Sequence, residues 1–482
     1  MRAGKHLEYL SVLALLVTFF GYFTVRVWDI DFWWHIAAGK DILLTGNIPS
    51  IDPFGVYQAD NVCGQTVLKS EWLGQVVLYL AYRLMELDGV ILLRAGVLTF
   101  CLAIVYLRCR LSGVSGLFAL VIAALSGIAI LNFTGERPNL FSFLFIGLTF
   151  LLLDEYTRTG KRWLLYGIPL VILVWSNAHG GVVLGVAILG LYGMVFIFEQ
   201  YRTEGDWKTR PNMLMAMTVF LSVVVLLISP SGLDTLKCIL FQQSGTFVKE
   251  RVSEYQSPIT LWRAAMYYWV FVGVAMTSLL GLFALKQYRQ AAVLLCLGAL
   301  SVIGYRYIPF FVLAGAPYVA AGLERLMRNV RVPSALISLV MLILSLGFLG
   351  YGIKQNSVFQ FGVAQHRFPI GAVEYIKNNS LHGKVFNSIN WGGYLLWHLK
   401  DKMQVFIDGR TLDMNRMIPY THILWMTPEG RQFFAQGDFD LVLVSKGNQF
   451  SGERYPLVAY LKNQSNWKVA YQDAKGYLFE RR

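Results

Sequence analysis

The stretch Trp28-Asp29-Ile30-Asp31-Phe32-Trp33-Trp34-His35 follows directly on the first long apolar segment of the chain. A carboxylate at the edge of a bilayer is costly unless it is solvated, paired or bound to a cation, so two carboxylates one residue apart indicate a functional site. Tryptophans also belong to the interfacial belt of membrane proteins, and an Asp beside them can simply mark the water boundary. The stretch alone therefore leaves two interpretations open, a site and an aromatic belt.

The composition indicates the protein class. The chain has 482 residues, of which 56% are hydrophobic and 15% charged, and its mean hydropathy is +0.50. Such a chain is too apolar to bury its hydrophobic surface in one soluble core. Apolar runs close to the length that spans a bilayer recur along the first 350 positions, and their backbone must be helical because lipid satisfies no open amide groups. We therefore predict a polytopic α-helical membrane protein.

The hydropathy pattern predicts about 11 transmembrane helices. They are placed at 7–27, 89–107, 114–131, 140–154, 163–177, 181–199, 211–229, 266–285, 291–304, 308–323 and 333–352.

The distribution of Lys and Arg predicts the orientation. Most basic residues fall in alternate short loops, which the positive-inside rule assigns to the cytoplasm together with the N-terminus. An odd number of spans then places the C-terminal segment outside the cytoplasmic membrane. The net charge of +13 is dispersed over these loops and forms no basic, aromatic-interleaved stripe, so we expect no nucleic-acid partner.

Two domains are predicted. Residues 1–354 form the transmembrane helical domain, whose first outer loop, 28–88, contains interfacial helices at 33–45 and 71–85. A second outer loop, 229–265, is polar. Residues 355–482 form a small extracytoplasmic α/β domain. Its predicted elements are a helix at 372–378, strands at 384–387, 404–407 and 441–445, and a hairpin of 467–472 with 477–480.

This topology gathers unusual polar residues at the outer face. They are Asp29, Asp31 and His35 after the first span, Glu136 and Arg137 after the third, Asn177 and His179 after the fifth, and Arg306 after the ninth. For several of these residues a role outside a functional site is an alternative. Glu136 and Arg137 can pair with each other, His179 can be structural, and Arg306 can reach lipid phosphate instead of substrate.

The residue types match group transfer from a lipid phosphate. Asp29 or Asp31 can act as a general base or bind a divalent cation such as Mg, Mn or Zn, with His179 as a third metal ligand or proton carrier. Arg137 and Arg306 suit a phosphate. The remaining candidates for substrate binding are Trp33, Trp34, His35, Glu136 and Asn177. Separately, Cys63 and Cys238 both fall in outer loops, and a disulfide between them stays open.

Several pieces resemble a group of bacterial membrane proteins related to the glycosyltransferases of the GT-C fold. They are Asp31-Phe32-Trp33-Trp34-His35-Ile36-Ala37-Ala38-Gly39, Arg137-Pro138, Asn177-Ala178-His179-Gly180-Gly181, Trp391-Gly392-Gly393-Tyr394-Leu395 and Phe406-Ile407-Asp408-Gly409-Arg410. The layout is also similar, with an acidic motif opening a long outer loop. The Trp-Trp-Asp triplet of oligosaccharyltransferases is absent from the C-terminal domain, which argues against that branch.

The resemblance implies a GT-C-like enzyme of the bacterial cytoplasmic (inner) membrane. Its donor would be a polyprenyl-phosphate-linked sugar, its acceptor an envelope protein, lipid or glycan, and its surroundings membrane lipid. The acidic residue of the first loop acts in such enzymes as base or metal ligand, which here corresponds to Asp29 and Asp31. The alternative is a non-catalytic transporter or assembly scaffold for envelope polysaccharide. Asp408 and Arg410 either lock a turn or complete a site.

Overall fold

The computed structural model describes residues 2–49, 54, 62–244, 252–329, 333–400, 402–410, 414–447 and 452–482. The chain divides into two compact units. The helical unit comprises Met1–Arg26, Met85–Thr134 and Pro138–Phe361. The mixed unit comprises Val27–Leu84, Gly135–Arg137 and Gly362–Arg482.

The helical unit is built from helices, most of which are long and apolar. They are α1 (Arg2–Phe23), the second part of α4 (Trp72–Leu111), α5 (Gly116–Ala129), α6 (Asn139–Thr159), α7 (Trp163–Ala178), α8 (Val182–Glu204), α9 (Arg210–Leu227), α10 (Gly232–Ser244), α11 (Met266–Ala284), α12 (Tyr288–Ile303), α13 (Ile308–Leu326) and α14 (Ser334–Lys354). Large apolar side chains such as Leu170, Leu280 and Leu344 are exposed on these helices. Apolar outer faces of this kind suit contact with lipid.

The polytopic membrane prediction is confirmed. Among the described residues, eight helices are long and apolar enough to cross a membrane. They are Lys5–Phe23, Trp72–Leu111, Asn139–Thr159, Val182–Glu204, Arg210–Leu227, Met266–Ala284, Tyr305–Leu326 and Ala335–Lys354. Three shorter apolar helices, α5, α7 and α12, coincide with the remaining predicted spans. The count of eleven spans and their orientation stay predictions.

The predicted interfacial helix 71–85 and the predicted span 89–107 are joined in one helix, α4. The helix is interrupted at Met85 (φ −143°, ψ 25°) and Glu86 (φ 51°, ψ −135°), where the two units meet along the chain. The helix predicted at 33–45 is present as α2 (Phe32–Thr45), and its interfacial position stays a prediction. The sequence analysis missed α3 (Val62–Ser70) and α10, which fall inside the two long loops predicted to lie outside.

The mixed unit contains a five-stranded sheet in the order β2-β1-β3-β5-β4. Its strands are β1 (Gly383–Asn387), β2 (Met403–Val405), β3 (Leu441–Ser445), β4 (Trp467–Gln472) and β5 (Gly476–Arg481). β1 pairs in parallel with β2 and β3, whereas β5 runs antiparallel to both β3 and β4. The central β3 is almost wholly buried and the edge strand β4 is largely exposed. The predicted strands and terminal hairpin are confirmed.

Helices pack beside this sheet. They are α15 (Ile370–Asn378), α16 (Ile389–Leu399), α17 (Met414–Trp425), α18 (Pro428–Gly437) and α19 (Pro456–Lys462). A cluster of large aromatic side chains, including Phe386, Phe434 and Phe479, fills the core beneath them. On the other side of the unit, α16 packs against α2, where Tyr394 meets Trp33 edge to face at 4.9 Å between ring centroids.

Inside the helical unit, Arg108 supplies a hydrogen-bond donor to a carbonyl of α13 that has no donor within the helix. Pro317 lies within that helix, and because proline has no N–H it cannot donate to the carbonyl of Leu313. The Nη1 of the buried Arg108 donates to the carbonyls of Leu313 and Ala314, both at 3.0 Å. The same guanidinium pairs with Asp154 at 2.8 Å, so the charge of Arg108 is balanced within the bundle.

We expect Arg108→Met to lower the apparent Tm of the detergent-purified protein by about 5 °C or more. Removing one partner of a buried ion pair costs about 3–5 kcal/mol, and two carbonyls lose their donor as well. Thermal unfolding monitored by intrinsic fluorescence measures the change. The control is Arg83→Met, which removes an exposed arginine from the same helix, α4. Equal Tm values for the two variants would contradict the structural role of Arg108.

Candidate active site

The acidic motif begins at a short backbone pairing inside the mixed unit. Val27 N donates to the carbonyl of Gly362 at 2.9 Å, and Ala364 N donates to the carbonyl of Val27 at 2.8 Å. The guanidinium of Arg367 lies 5.3 Å from the ring of Trp28. These contacts fix the backbone immediately before Asp29.

Asp29 and Asp31 share one arginine. Arg137 Nε donates to Asp29 Oδ2 at 2.5 Å, and Arg137 Nη1 lies 3.1 Å from Asp31 Oδ2. Asp29 Oδ1 accepts the backbone N–H of Asp31 at 2.9 Å, which forms a tight turn. The guanidinium thus balances two carboxylates that are only one residue apart.

Glu136 supports the same turn. Its Oε2 accepts the backbone N–H of Asp29 at 3.1 Å, and its side chain is buried. The neighbouring Gly135 lies so close to Asp29 that an added Cβ would stand 2.4 Å from Asp29 Oδ2. The described contacts of Glu136 and Arg137 are therefore directed to the acidic motif. They differ from the alternative in which these two residues simply pair with each other.

The two carboxylates differ in exposure. The side chain of Asp29 is 2% exposed, that of Asp31 is 12% exposed, and that of Arg137 is 24% exposed. Both Asp29 oxygens accept hydrogen bonds inside the protein. Asp31 is consequently the carboxylate more open to an incoming molecule.

The two tryptophans are buried in the packing of the motif. Trp34 Nε1 donates to Asp31 Oδ1 at 3.1 Å, and its ring lies 3.6 Å from the ring of His35. His35 is itself buried, with its Nδ1 3.8 Å from Glu71 Oε2. Trp33 packs between Phe32, Phe368 and Tyr394. The described role of the indoles is to hold Asp31 and α2, and contact with a substrate stays a prediction for Trp33, Trp34 and His35.

His398 lies beside Trp33, at 5.1 Å between ring centroids. Burial, with some repulsion from Lys377, lowers the pKa of His398 to about 4. The imidazole is therefore neutral at physiological pH and adds no charge near the acidic motif.

Asp408 and Arg410 form a buried ion pair in the loop after β2. Arg410 Nε donates to Asp408 Oδ1 at 2.9 Å, and Arg410 Nη2 pairs with Asp408 Oδ2. Burial by itself would raise the pKa of Asp408, but attraction and hydrogen bonds from Arg410 outweigh burial and hold that pKa below its usual value. The pair stays charged at neutral pH.

His179 belongs to the helical unit and ends α7. Its Nδ1 accepts the backbone N–H of Gly181 at 3.0 Å and lies 2.7 Å from Ser142 Oγ. Trp175 Nε1 donates to the same Ser142 oxygen at 2.6 Å. This network assigns the hydrogen of the neutral imidazole to Nε2. Through Nε2 His179 can act as a hydrogen-bond donor.

Two more predicted residues lie in the helical unit. Asn177 Nδ2 donates to the carbonyl of Leu173 at 2.8 Å, in the last turn of α7. Arg306 stands in the short 3₁₀ turn Tyr305–Tyr307, with its guanidinium 4.6 Å from the ring of Tyr255. Of the predicted site residues, the structure brings Asp29, Asp31, Trp33, Trp34, His35, Glu136 and Arg137 together in the mixed unit.

The sequence analysis missed Arg94, which lies early in the predicted span 89–107. Arg94 is fully buried. Its Nε donates to the carbonyl of Phe23, its Nη1 to Thr134 at 3.1 Å, and its Nη2 to Val25. The chain runs from Val25 into the acidic motif and from Thr134 into Gly135, so Arg94 fixes the starting points of both segments. The signal that could have identified Arg94 is the presence of an arginine inside an apolar span.

No protein-family model and no curated protein matches the chain. Solved structures do. The oligosaccharyltransferase of Archaeoglobus fulgidus in complex with Zn and sulfate has a TM-score of 0.62 at 12% identity, covering 90% of this chain and 68% of that chain. ArnT from Cupriavidus metallidurans in the apo state has a TM-score of 0.60 at 12% identity, and the match covers 99% of this chain and 98% of the ArnT chain. The chain has the GT-C fold.

A third GT-C neighbour is the arabinofuranosyltransferase AftD from Mycobacteria, with a TM-score of 0.58 at 13% identity. The match covers 99% of this chain and 40% of the AftD chain. Related structures show the Archaeoglobus enzyme with a dolichol-phosphate and ArnT with undecaprenyl phosphate. The resemblance to the GT-C fold drawn from the sequence is confirmed.

The acidic pair of this GT-C chain fits an arginine better than a metal ion. Asp29 and Asp31 offer oxygen ligands suited to Mg²⁺ or Mn²⁺, but both are paired with Arg137. Within the described ranges, no three His, Cys, Asp or Glu side chains converge on one point. His179, the third predicted ligand, lies in the helical unit. A divalent cation would have to displace the guanidinium.

We expect Arg94→Met to lower the apparent Tm by about 5 °C or more, because three buried backbone carbonyls lose a donor at about 1–3 kcal/mol each. Arg94→Lys should recover part of the loss, since one ammonium can reach some of the carbonyls but cannot span them as a guanidinium does. Differential scanning fluorimetry measures both variants. An apparent Tm of Arg94→Met equal to that of the wild type would contradict this role of Arg94.

We expect Mn²⁺ to bind the wild-type acidic pair weakly and to bind Arg137→Gln at least about tenfold more tightly. Removing the competing positive charge leaves two adjacent carboxylates for the cation. Titration of the metal-free protein followed by electron paramagnetic resonance measures free Mn²⁺. The double variant Asp31→Asn/Arg137→Gln is the control and should lose the gain. Equal affinity in wild type and Arg137→Gln would show that Arg137 does not compete with a cation.

Proposed function

We propose that this chain is a membrane glycosyltransferase of the bacterial cytoplasmic membrane. It transfers a sugar from a polyprenyl-phosphate-linked donor to an envelope protein, lipid or glycan on the outer side. The observation that carries the proposal is the pair of buried carboxylates, Asp29 and Asp31, held on the single guanidinium of Arg137. The GT-C fold supports it, since neighbours with this fold are glycosyltransferases.

Asp31 acts as the general base. It is the more exposed carboxylate of the pair, and a carboxylate within hydrogen-bond reach of the acceptor group can take its proton. Asp29 is only 2% exposed, and its carboxylate accepts the backbone N–H of Asp31 and so holds the turn. The proton of the acceptor hydroxyl or amine goes to Asp31 as the acceptor atom bonds to the anomeric carbon of the sugar.

Arg137 acts on the leaving group. The bond from the anomeric carbon to the phosphate oxygen breaks, and its electron pair leaves with the polyprenyl phosphate. The side chain of Arg137 is 24% exposed, more than that of either carboxylate it pairs with. A guanidinium is well matched to the oxygens of a phosphate. Within the helical unit, we propose that Arg306 binds a phosphate and that His179 donates a hydrogen bond from Nε2.

A disulfide supports the outer placement of the loop after α9. Cys238, in α10, is disulfide-bonded, and disulfides persist in oxidising compartments outside the cytoplasm. The side chain of Cys63, whose pairing with Cys238 the sequence leaves open, lies outside the described residues. This placement agrees with the orientation predicted from the basic loops, with the C-terminal domain outside.

We expect Asp31→Asn to lower turnover at least about a hundredfold, because the amide cannot accept the acceptor proton. The assay uses nanodisc-reconstituted protein, a panel of polyprenyl-phosphate sugars and envelope extracts as acceptor. Asp41→Asn is the matched control. It removes the carboxylate of Asp41, which lies in α2 and pairs with Lys400. This substitution should leave turnover within about twofold.

Near-wild-type turnover by Asp31→Asn would overturn the assignment of the base. If the wild-type protein binds the donor but transfers no sugar to any acceptor, the transporter or scaffold alternative is favoured instead.

A further inference from the structure

The position of the Asp31 carboxylate depends on groups besides Arg137. Its Oδ2 is 3.1 Å from Arg137 Nη1, and its Oδ1 accepts the indole N–H of Trp34 at 3.1 Å. Each oxygen is therefore held by a different neighbour. The loop Asp408-Gly409-Arg410, which we call the DGR loop, acts on the Oδ1 side.

Gly409 touches the carboxylate directly. A Cβ added at this position would stand 1.7 Å from Asp31 Oδ1, far inside any real contact distance. The backbone of Gly409 does not adopt the left-handed conformation that favours glycine. The absence of a side chain at 409 is thus required by the approach of Asp31, and the backbone conformation does not explain it.

Arg410 acts on the same oxygen through Trp34. Its guanidinium lies 5.5 Å from the centre of the Trp34 ring, a cation–π contact. The ion pair with Asp408 fixes the guanidinium in place. Since Trp34 Nε1 is a donor to Asp31 Oδ1, adjacent residues of the DGR loop bear on one carboxylate oxygen.

A second motif keeps the DGR loop close to the acidic motif. Gly392, in the first turn of α16, lies so near the loop that an added Cβ would be 2.1 Å from the carbonyl oxygen of Ile407. A Cβ on Gly393 would be 2.9 Å from the carbonyl oxygen of Ile30. The paired glycines let one helix turn contact both segments at once.

We propose that the DGR loop of the C-terminal segment sets the position of the Asp31 carboxylate, with Gly409 as a positioning residue for glycosyl transfer. The proposal rests on the proposed function and deepens it, because it makes the soluble C-terminal segment part of the active site. It accounts for the Trp-Gly-Gly and Asp-Gly-Arg motifs, which the proposed chemistry leaves unused.

The test is a double-mutant cycle between Gly409→Ala and Asp31→Ala in the full-length protein. Gly409→Ala alone should lower kcat by about tenfold or more with little change in KM for the donor, since a displaced base slows the chemical step more than binding. It should also lower the apparent Tm. In the Asp31→Ala background the added methyl group has room, so Gly409→Ala should leave the Tm almost unchanged. Gly273→Ala, at an open helix position, is the control.

Two results would overturn the proposal: wild-type kcat in Gly409→Ala, or an equal loss of Tm in both backgrounds. If Gly409→Ala fails to fold, folding of the double variant supports the proposal and its failure to fold overturns it. The Tm cycle needs no turnover. Activity retained by Asp31→Ala would refute the proposed function, while the Tm cycle would still report whether Gly409 and Asp31 are coupled.

Discussion

Two ionised carboxylates buried side by side repel each other strongly unless a positive charge lies between them, and in this protein Arg137 supplies that charge. Asp29 and Asp31 are one residue apart and both have little contact with solvent. Without the guanidinium, mutual repulsion and lost hydration would drive one of them to take up a proton or to swing outward. The geometry of the site therefore depends on bringing residue 137 to residues 29 and 31.

Arg94 contributes to that approach. Arg137 is 108 positions beyond Asp29 in the chain, and both lie at the ends of segments that leave the helical unit. Buried hydrogen bonds from Arg94 to the carbonyls of Phe23, Val25 and Thr134 fix both starting points. Arg108 acts in a comparable way on the carbonyls of Leu313 and Ala314, near Pro317. In both places an arginine satisfies carbonyls that an apolar surrounding cannot, which is why such a charge is tolerated there.

The same requirement for close approach explains the glycines of the mixed unit. Gly135 lies against Asp29, and Gly409 lies against Asp31. A carboxylate packed against glycine backbone has few positions available, so its orientation is set before any substrate arrives. Preorganisation of this kind lowers the cost of reaching the transition state.

The sequence alone predicted much of the fold. The apolar runs located the long helices, and the short β-rich runs located the strands of the C-terminal sheet. Both patterns can be recognised within a short stretch of sequence, because the apolar residues that face the core recur with the period of the helix or strand. Prediction failed where an element was short or polar, as for α3 and α10, and where a kink joined the predicted interfacial helix 71–85 to the span after it.

The sequence also supplied the chemistry of the site. Asp29, Asp31, Glu136 and Arg137 stood out as charged residues in turns that follow apolar segments, and the mixed unit brings them together. Their individual partners were decided by the tertiary structure alone. That Arg137 bridges both carboxylates and that Gly409 touches the carboxylate of Asp31 depend on segments distant in sequence. Residue spacing carries no information about such contacts, because they depend on how closely the packed backbones approach one another.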